Sequence, residues 1–410
     1  MLQRLAGPPE RDKPEFRRLE NGQFRCGLAA RPQSCLTAAR GGTTLCAMKR
    51  ILVSPLSWGL GHATRDLPII RDFLARGHHV TVAAEGRALA LLKQEAPQCD
   101  FVELKDYPPP YSASRFFVPK FLATAPKMLK AIAMEAHNTK KLVEERKFDL
   151  ILSDNRFNVR SHDVPSFVIS HQLRFMTPPG TAWFEPVTEY FNYRYLKPFD
   201  RIIVSDFADE KSNLTGRLAH EMNWLAKAGK VYYAGILSSA AKMDVARDVD
   251  VFISISGPEP QRTELQRIIL DHIPAVDAGR VVIALGQPEV KEVRQLTDRI
   301  TLYGYLDRAG QQEMLNRAKL VVCRSGYTTI MELAELGKKA LLIPTPGQTE
   351  QEYLGRLYAA KGYFHSVSQY SLDLGRDLEE AKKAGGVPFA CDTKANVEKL
   401  YRELFASILG

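Results

Sequence analysis

The sequence lacks several features that would fix a function at once. In its 410 residues, no run approaches the roughly 20 apolar residues that a membrane-spanning helix needs. The six cysteines form no C-x-x-C pair, which argues against a zinc site, and a disulfide framework is not expected in so long a chain. There is no Walker loop and no G-x-G-x-x-G fingerprint. We therefore predict a cytoplasmic globular protein that is long enough to form two hydrophobic cores.

Positive charge is in excess, but it is spread unevenly along the chain. Residues 1–47 hold eight Lys/Arg against four Asp/Glu, so the remaining residues carry about +5 of the net charge of +9. No basic stripe with interleaved aromatic residues is present, and nucleic acid is therefore not a predicted partner. Residues 1–47 show no sustained periodicity and end just before Met48, so we expect a disordered tail or a misassigned start.

Short apolar runs alternate with longer amphipathic stretches from Met48 onwards. This alternation predicts parallel, doubly wound sheets, with ligands at the carboxyl ends of the strands. The alternation pauses at about 237–249. We therefore predict an N-terminal Rossmann-like domain at 48–238, a second at 249–390, and a C-terminal helix at 391–410 that can pack back on the first. The predicted strands are Ile51–Pro55, Val80–Ala84, Phe101–Leu104, Leu150–Ser153, Phe167–Ser170, Arg201–Val204, Val251–Ile255, Val281–Leu285, Ile300–Tyr303, Leu320–Cys323 and Ala340–Ile343.

A hydroxyl-rich turn, Arg324-Ser325-Gly326-Tyr327-Thr328-Thr329, lies between the last-but-one predicted strand and a predicted helix at Ile330–Leu336. Gly326 permits close backbone approach, and unpaired N–H groups at a helix start favour phosphate. Arg324 adds a full charge, and the carboxylate of Glu332 can accept both hydroxyls of a ribose. A capping arrangement that binds no ligand remains an alternative.

Two further turns follow predicted strands of the first half. His62 lies in Trp58-Gly59-Leu60-Gly61-His62 and can serve as a general base near neutral pH. Asp154 ends another strand, where its carboxylate can fix the imidazole tautomer. His171 is a weaker candidate of the same kind. The alternatives are a packing or capping histidine and an Asx turn.

The second half opens with another close-approach turn at Ser256-Gly257-Pro258, with Arg262 following. Gly257 and Arg262 are candidates for anion contact. Asp248-Val249-Asp250 formally matches a metal-binding D-x-D, but we interpret it as a solvated linker and predict no metal site. Arg115–Glu135 combines phenylalanines with basic residues, which predicts either a surface that touches anionic lipid or an ordinary amphipathic helix.

Taken in order, these motifs resemble glycosyltransferases of the two-Rossmann-domain kind, known as GT-B, and most closely the peptidoglycan N-acetylglucosaminyltransferases. The similarity is densest over about 300–353, where Cys323-Arg324-Ser325-Gly326, Glu332, Gly337 and Pro344 match the family's spacing. The resemblance implies an α/β GT-B fold whose two Rossmann-like domains face a central cleft. It also implies a nucleotide-sugar donor, preferably UDP-linked, and no further cofactor.

The resemblance assigns a role to each candidate residue. His62 and Asp154 would form the catalytic pair, with Gly61 and His171 on the acceptor side. The remaining residues would bind the donor: Gly257, Arg262, Arg324, Ser325, Gly326, Tyr327, Thr328 and Thr329 the diphosphate; Tyr305, Leu306 and Glu332 the base and ribose; Gln348, Gln351 and Glu352 the sugar.

The acceptor side departs from the peptidoglycan enzymes. Their Gly-Gly-Thr-Gly-Gly-His loop is here Ser-Trp-Gly-Leu-Gly-His, and their His-Glu-Gln-Asn segment is here Ser170-His171-Gln172-Leu173. We expect an inverting, metal-independent hexosyltransferase whose hydroxyl acceptor is left unassigned. A lipid-linked acceptor remains an alternative, and it would imply peripheral contact with the inner face of the membrane. A nucleotide-sugar 2-epimerase and a non-catalytic nucleotide-sugar-binding protein are the rival hypotheses.

Overall fold

The computed structural model describes residues 48–107, 117–178 and 180–410, with the side chains of 117–125 left out. The predicted tail at 1–47 and the first two residues of Arg115–Glu135 lie outside these ranges. No helix within them is long and apolar enough to cross a membrane.

The first half folds around a seven-stranded parallel sheet in the order β3-β2-β1-β4-β5-β6-β7. The strands are β1 (Arg50–Pro55), β2 (His79–Ala84), β3 (Asp100–Glu103), β4 (Leu150–Asp154), β5 (Ser166–Ile169), β6 (Arg201–Val204) and β7 (Val231–Tyr233). The helices are α1 (Leu60–Ala75), α2 (Gly86–Glu95), α3 (Phe117–Arg146) and α4 (Glu185–Leu196). The central strands are buried along almost their whole length, because helices cover both faces of a parallel sheet.

The second half contains another seven-stranded sheet, in the order β10-β11-β9-β8-β12-β13-β14. All of its neighbours are parallel except β10 and β11. The strands are β8 (Val249–Ser254), β9 (Val281–Ala284), β10 (Val293–Thr297), β11 (Ile300–Tyr303), β12 (Ala318–Cys323), β13 (Lys339–Leu342) and β14 (His365–Ser366). The helices are α5 (Gln261–His272), α6 (Arg308–Arg317), α7 (Tyr327–Leu336), α8 (Thr349–Ala360) and α9 (Leu374–Lys383).

The chain ends in a helical run that returns to the first sheet. It comprises α10 (Thr393–Leu400), a π turn (Tyr401–Phe405) and α11 (Ala406–Leu409). Phe405 and Leu409 share a buried cluster with residues of β1, and Tyr401 stacks on His78. The guanidinium of Arg76 lies 3.6 Å from the centre of the Tyr401 ring. The C-terminal residues therefore belong to the core of the first half.

Several boundaries differ from the sequence prediction. Helix α1 begins at Leu60, within the segment that was interpreted as a turn, and α7 begins at Tyr327 rather than Ile330. In both places glycine suggested a turn, whereas the structure uses it as the residue that precedes the helix. Asp250 lies within strand β8 and not in a linker, because the strand begins at Val249.

Candidate active site

A cluster of charged side chains lies where β4 ends and α1 begins. Nδ1 of His62 is 3.0 Å from Oδ1 of Asp154, which is fully buried. The predicted pair is therefore brought together, with His62 in the first turn of α1 rather than on a preceding loop. Burial alone would raise the pKa of Asp154, but Arg65 and then His62 hold that pKa below its ordinary value. Asp154 is thus the anion of the cluster.

The sequence prediction missed Arg65, which organises this cluster. Its Nε donates to Oδ2 of Asp154 at 2.6 Å, and its Nη2 also contacts Oδ1. Nη2 lies 2.8 Å from Nδ1 of His62, and Nη1 lies 2.6 Å from Nδ1 of His171. The helical spacing would have shown this only if α1 had been predicted to begin before His62, because residues three apart on a helix share a face.

Asp66, the next residue, is a second buried carboxyl beside Asp154. It is fully buried, and neither oxygen has a hydrogen-bond partner among the described residues. Burial first, and then the charge of Asp154, raise the pKa of Asp66 well above its ordinary value. A neutral Asp66 avoids placing two negative charges together in a medium of low polarity.

His171 connects the two halves. Its ring stacks on Tyr327 with the ring centres 4.7 Å apart, and its Nε2 lies 3.0 Å from Oε1 of Glu350. Burial lowers the pKa of His171, with Glu350 acting in the opposite direction. A neutral ring fits both contacts, since Nε2–H can donate to Glu350 while Nδ1 accepts from Arg65. Glu350 was missed, although its neighbours Gln351 and Glu352 were assigned to the donor sugar.

The start of α7 faces the start of α1. The N-caps of these helices are Gly326 and Gly59, and neither helix has a side-chain cap. A Cβ added at Gly61 would lie 2.6 Å from Oγ1 of Thr328, so the two helix ends almost touch. The first N–H groups of an α-helix have no intrahelical partner. Two sets of amide donors therefore converge at this point.

Two of the predicted anion contacts lie elsewhere. Arg324 is buried beneath the loop, where its guanidinium donates to the carbonyls of Ser256, Gln261, Ile343 and Pro344. This placement argues against a direct phosphate contact, because four acceptors already surround the guanidinium.

Arg262 is engaged by Glu259, which precedes α5, and by the carbonyl of Leu285, which follows β9. Gly257 has φ +118°, and a Cβ there would lie 3.5 Å from Oγ1 of Thr345. That hydroxyl is buried and has no hydrogen-bond partner among the described residues, so it is a further polar group that the sequence did not reveal.

Three residues that were predicted to bind the diphosphate at the start of α7 have different side-chain environments. The hydroxyl of Ser325 donates to the carbonyl of Gln351, and the hydroxyl of Tyr327 donates to the carbonyl of Ser205 in the first half. Tyr327 can therefore reach a ligand at this point through its amide alone. Thr329 follows on the first turn of α7 and is partly exposed.

Tyr305 is exposed and Leu306 packs against the core of the second half, while Glu332 lies on α7. Burial raises its pKa to about 6, with Arg308 acting in the opposite direction. Arg308, which the prediction missed, begins α6 and lies 3.7 Å from Glu95 of the first half. Glu332 is thus a buried acidic group with the guanidinium at the start of α6 as its charged neighbour.

A cavity of about 240 Å³ extends from the first half to the start of α7. His62 and His171 line it together with Gly326, Gln348 and Gln351. Glu352 does not line this cavity. Its carboxylate accepts from the amide of Gly347, and Glu350 occupies the wall instead.

Both aspartates of the D-x-D segment form ion pairs with basic side chains. Asp248 contacts Arg280 and Arg317, and Asp250 contacts Lys319 at 2.7 Å. Within the described residues, no group of three or more His, Cys, Asp or Glu side chains is arranged to hold a metal ion.

Comparisons with known proteins agree with this geometry. Residues 261–391 match the glycosyltransferase family 28 C-terminal domain. An uncharacterized glycosyltransferase of Methanosarcina acetivorans is 24% identical over 78% of this chain and 84% of its own length. A UDP-N-acetylglucosamine--N-acetylmuramyl-(pentapeptide) pyrophosphoryl-undecaprenol N-acetylglucosamine transferase of Paramagnetospirillum magneticum is 30% identical over 41% of this chain and 47% of its own length.

The fold is shared with solved glycosyltransferases. The spinosyn rhamnosyltransferase SpnG, complexed with thymidine diphosphate, superposes with a TM-score of 0.55 at 17% identity, over 87% of this chain and 96% of its own. The two facing α/β domains are those of the GT-B fold, as expected from the sequence. The C-terminal match, the relatives and the shared architecture together support sugar transfer, so this chain is a glycosyltransferase with a GT-B fold that resembles the peptidoglycan enzymes.

Proposed function

We propose that this chain moves a hexosyl group from a UDP-linked donor to a hydroxyl acceptor, with inversion at the anomeric carbon and without a metal ion. One observation carries the proposal. A single cavity joins His62, hydrogen-bonded to Asp154, with Gly326, Gln348 and Gln351 at the start of the helices that would hold the donor. Base and donor site thus open onto the same space.

The donor diphosphate is proposed to bind where α1 and α7 meet. Both helices begin at an uncapped glycine, and the positive ends of their dipoles point toward each other. A doubly negative ligand bound between the two helix starts would reduce the repulsion between their positive ends. The UDP preference rests on the name of the peptidoglycan relative, while the thymidine diphosphate bound to SpnG supports a nucleoside diphosphate in general.

His62 is proposed to remove the proton from the acceptor hydroxyl. An Nδ1–H that donates to Asp154 leaves Nε2 free of a proton and basic. In the other tautomer, Nδ1 accepts from Arg65 and Nε2 cannot act as base. The first is favoured, because Nη2 of Arg65 also contacts Asp154 and does not need the histidine as an acceptor.

The transfer is a single displacement. The acceptor oxygen forms a bond to the anomeric carbon as its proton passes to Nε2, and the bond from that carbon to the diphosphate oxygen breaks. Attack opposite to the leaving group inverts the centre. The charge that develops on UDP is stabilised by the amides at the start of α7, a role that a metal ion fills in other sugar transferases. Preorganised donors of this kind contribute about 3 kcal/mol each to a transition state.

Replacing His62 tests the proposal. His62→Ala should lower transfer by about 10²–10⁴-fold, since that is the contribution of a positioned general base, while UDP affinity stays unchanged. The matched control is His162→Ala, because His162 is exposed and does not line the cavity. Unchanged turnover in His62→Ala would remove His62 from the mechanism, and turnover of the donor to an epimer without acceptor would favour the 2-epimerase.

Contact with anionic lipid is a further part of the proposal. The described part of α3 exposes Leu129 and Met134 beside the basic side chains of Lys127 and Lys130. Apolar and basic groups on one helix face are typical of segments that lie in a membrane interface. We propose peripheral binding at the inner face of the membrane through this part of α3.

A further inference from the structure

The cavity next to His62 has a mainly apolar wall in the first half. Its walls in the first half are formed largely by aromatic and aliphatic side chains, among them Leu56, Trp58, Tyr107, Phe157, Phe175 and Leu196. Burying apolar surface against such walls stabilises a complex by roughly 25 cal/mol per Å². The cavity therefore selects for an apolar ligand body.

The polar groups of the two largest wall residues are already satisfied. The indole N–H of Trp58 donates to the carbonyl of Tyr107 at 2.7 Å, and the hydroxyl of Tyr107 donates to the carbonyl of Asn155. The two rings pack edge to face with centres 5.4 Å apart. These residues thus offer the cavity their ring surfaces rather than hydrogen bonds.

Charge is confined to one end. Among the described residues that line the cavity there is no Lys and no Arg. Its ionisable groups besides Tyr107 are His62, His171 and Glu350, and the last two are paired with each other. An acceptor that carried a diphosphate into this space would be desolvated without a partner, which costs several kcal/mol per charge.

One wall residue offers an unused hydrogen-bond acceptor. Asn192 is 1% exposed, and its Nδ2 donates to the carbonyl of Gln172 at 3.3 Å. Its Oδ1 has no hydrogen-bond partner among the described residues. A buried polar atom without a partner costs roughly 1–3 kcal/mol, so a donor group on a bound ligand would remove that penalty.

We propose that the acceptor is a compact, uncharged and largely apolar alcohol or phenol. One hydroxyl reaches His62, and a second hydrogen-bond donor reaches Oδ1 of Asn192. The volume of about 240 Å³ is below the roughly 300 Å³ at which drug-sized ligands begin, which limits the buried part to one or two fused rings. This inference rests on the proposed function, since it names the acceptor class for the same site.

The test uses 2,7-dihydroxynaphthalene as the acceptor, with 2-naphthol as the analogue that lacks the second hydroxyl. Binding to the full chain is measured by naphthalene fluorescence, and transfer is measured by release of UDP. We expect the diol to bind and to be glycosylated, with a KM about tenfold lower than that of 2-naphthol. If the diol neither binds nor accepts sugar while a polyprenyl diphosphate-linked saccharide does, the proposal is wrong.

Two variants locate the effect in the cavity. Asn192→Leu should remove the tenfold difference in KM between the diol and 2-naphthol, because both compounds then lack an acceptor at that position. Phe175→Ala should raise the KM of both compounds several-fold, and it serves as the second readout should Asn192→Leu not fold. The control for lost aromatic surface is Trp183→Ala, because Trp183 is 70% exposed and does not line the cavity. A difference that persists in Asn192→Leu would contradict the role of Asn192.

A measurement of UDP binding distinguishes a failure of this inference from a failure of the proposed function. UDP affinity is measured by calorimetry for every variant. If UDP does not bind, the proposed function fails, and the fluorescence measurement still decides whether the diol occupies the cavity. If UDP binds and donor is slowly hydrolysed, but the diol does not bind, the acceptor inference alone fails.

Discussion

At the scale of single residues, the cluster at the start of α1 concentrates more buried charge than a general base needs. Asp154 requires one counter-charge, and Arg65 supplies it through two contacts. Asp66 lies beside them with both oxygens unpartnered among the described residues. A third ionised group would be costly in this environment, and a protonated Asp66 can instead donate toward Asp154.

The protonation of Asp66 can be tested with an isostere. Asp66→Asn keeps the shape and a donor without charge, so we expect the free energy of unfolding at pH 7 to change by less than about 1 kcal/mol and activity to persist. Asp66→Leu removes the donor and should reduce both. Thermal unfolding and UDP release measure the two effects. Equal damage by both variants would show that Asp66 is ionised in the folded protein.

The raised pKa of Glu332 predicts a pH dependence for the proposed binding of UDP. Its pKa is raised to about 6, so the carboxylate that would accept the ribose hydroxyls is lost as the pH falls below that value. We therefore expect UDP affinity to be constant above pH 7 and to fall about tenfold per unit below pH 5.5. Calorimetry between pH 5 and pH 8 measures this.

The control is Glu332→Gln, which should bind UDP more weakly at pH 7.5 and should show no comparable fall in UDP affinity as the pH decreases.

The raised pKa of Glu332 has the opposite consequence for the stability of the ligand-free protein. Burial disfavours the charged form, so this group costs stability as the pH rises from about 4.5 to about 6. A UDP affinity that stays constant down to pH 5 would contradict the ribose assignment.

At the scale of elements, the sequence predicted the buried strands well and the helix starts poorly. Runs such as Leu320–Cys323 were found because a strand covered on both faces is continuously apolar. Strand β10 was missed because all five of its residues are exposed, and β14 because it has two residues. The starts of α1 and α7 were placed too late because an uncapped helix start gives no Ser, Asp or Asn signal.

The same reasoning explains which site residues were predictable. His62, Asp154 and Gly326 follow strands and could be assigned to the cleft from the sheet order alone. Glu350 and Asn192 lie on helices of different halves, and their roles depend on how the halves meet. Arg324 was predicted to contact the diphosphate because its charge was visible in the sequence, whereas the four carbonyls that surround it in the structure were not.

The contact between α1 and α7 can be tested with a paired substitution. Gly61→Ala should favour a helix by up to about 1 kcal/mol, but the added Cβ meets Oγ1 of Thr328 at 2.6 Å. Overpacking of this kind costs roughly 1–3 kcal/mol, so we expect a lower melting temperature. In a Thr328→Ala background the clash is relieved, and the same substitution should be neutral or stabilising. Identical shifts in both backgrounds would show that the helix ends do not touch.

At the scale of the whole molecule, hydrogen bonds connect the two halves. The hydroxyl of Tyr358 donates to the carbonyl of Leu214 at 2.6 Å, and Nζ of Lys361 donates to the carbonyl of Asn213 at 2.7 Å. The pair of His171 and Glu350 crosses the same boundary. These bonds hold the apolar cavity wall of the first half against the loops of the second half, which is the arrangement that the proposed reaction between two bound substrates requires.

Delivery of an apolar acceptor would be assisted if the protein bound the membrane in which such a molecule dissolves. We expect the full chain to co-sediment with vesicles that contain phosphatidylglycerol and not with pure phosphatidylcholine vesicles, because each basic residue near an anionic surface contributes about 1 kcal/mol. Replacing Lys127 and Lys130 with Glu should abolish this binding. The matched control replaces Lys140 and Lys141, which are exposed on the same helix but lie near Glu144 and Glu145. Equal loss in both pairs would indicate attraction by net charge alone, and no binding to anionic vesicles would end the membrane proposal while leaving the acceptor cavity unaffected.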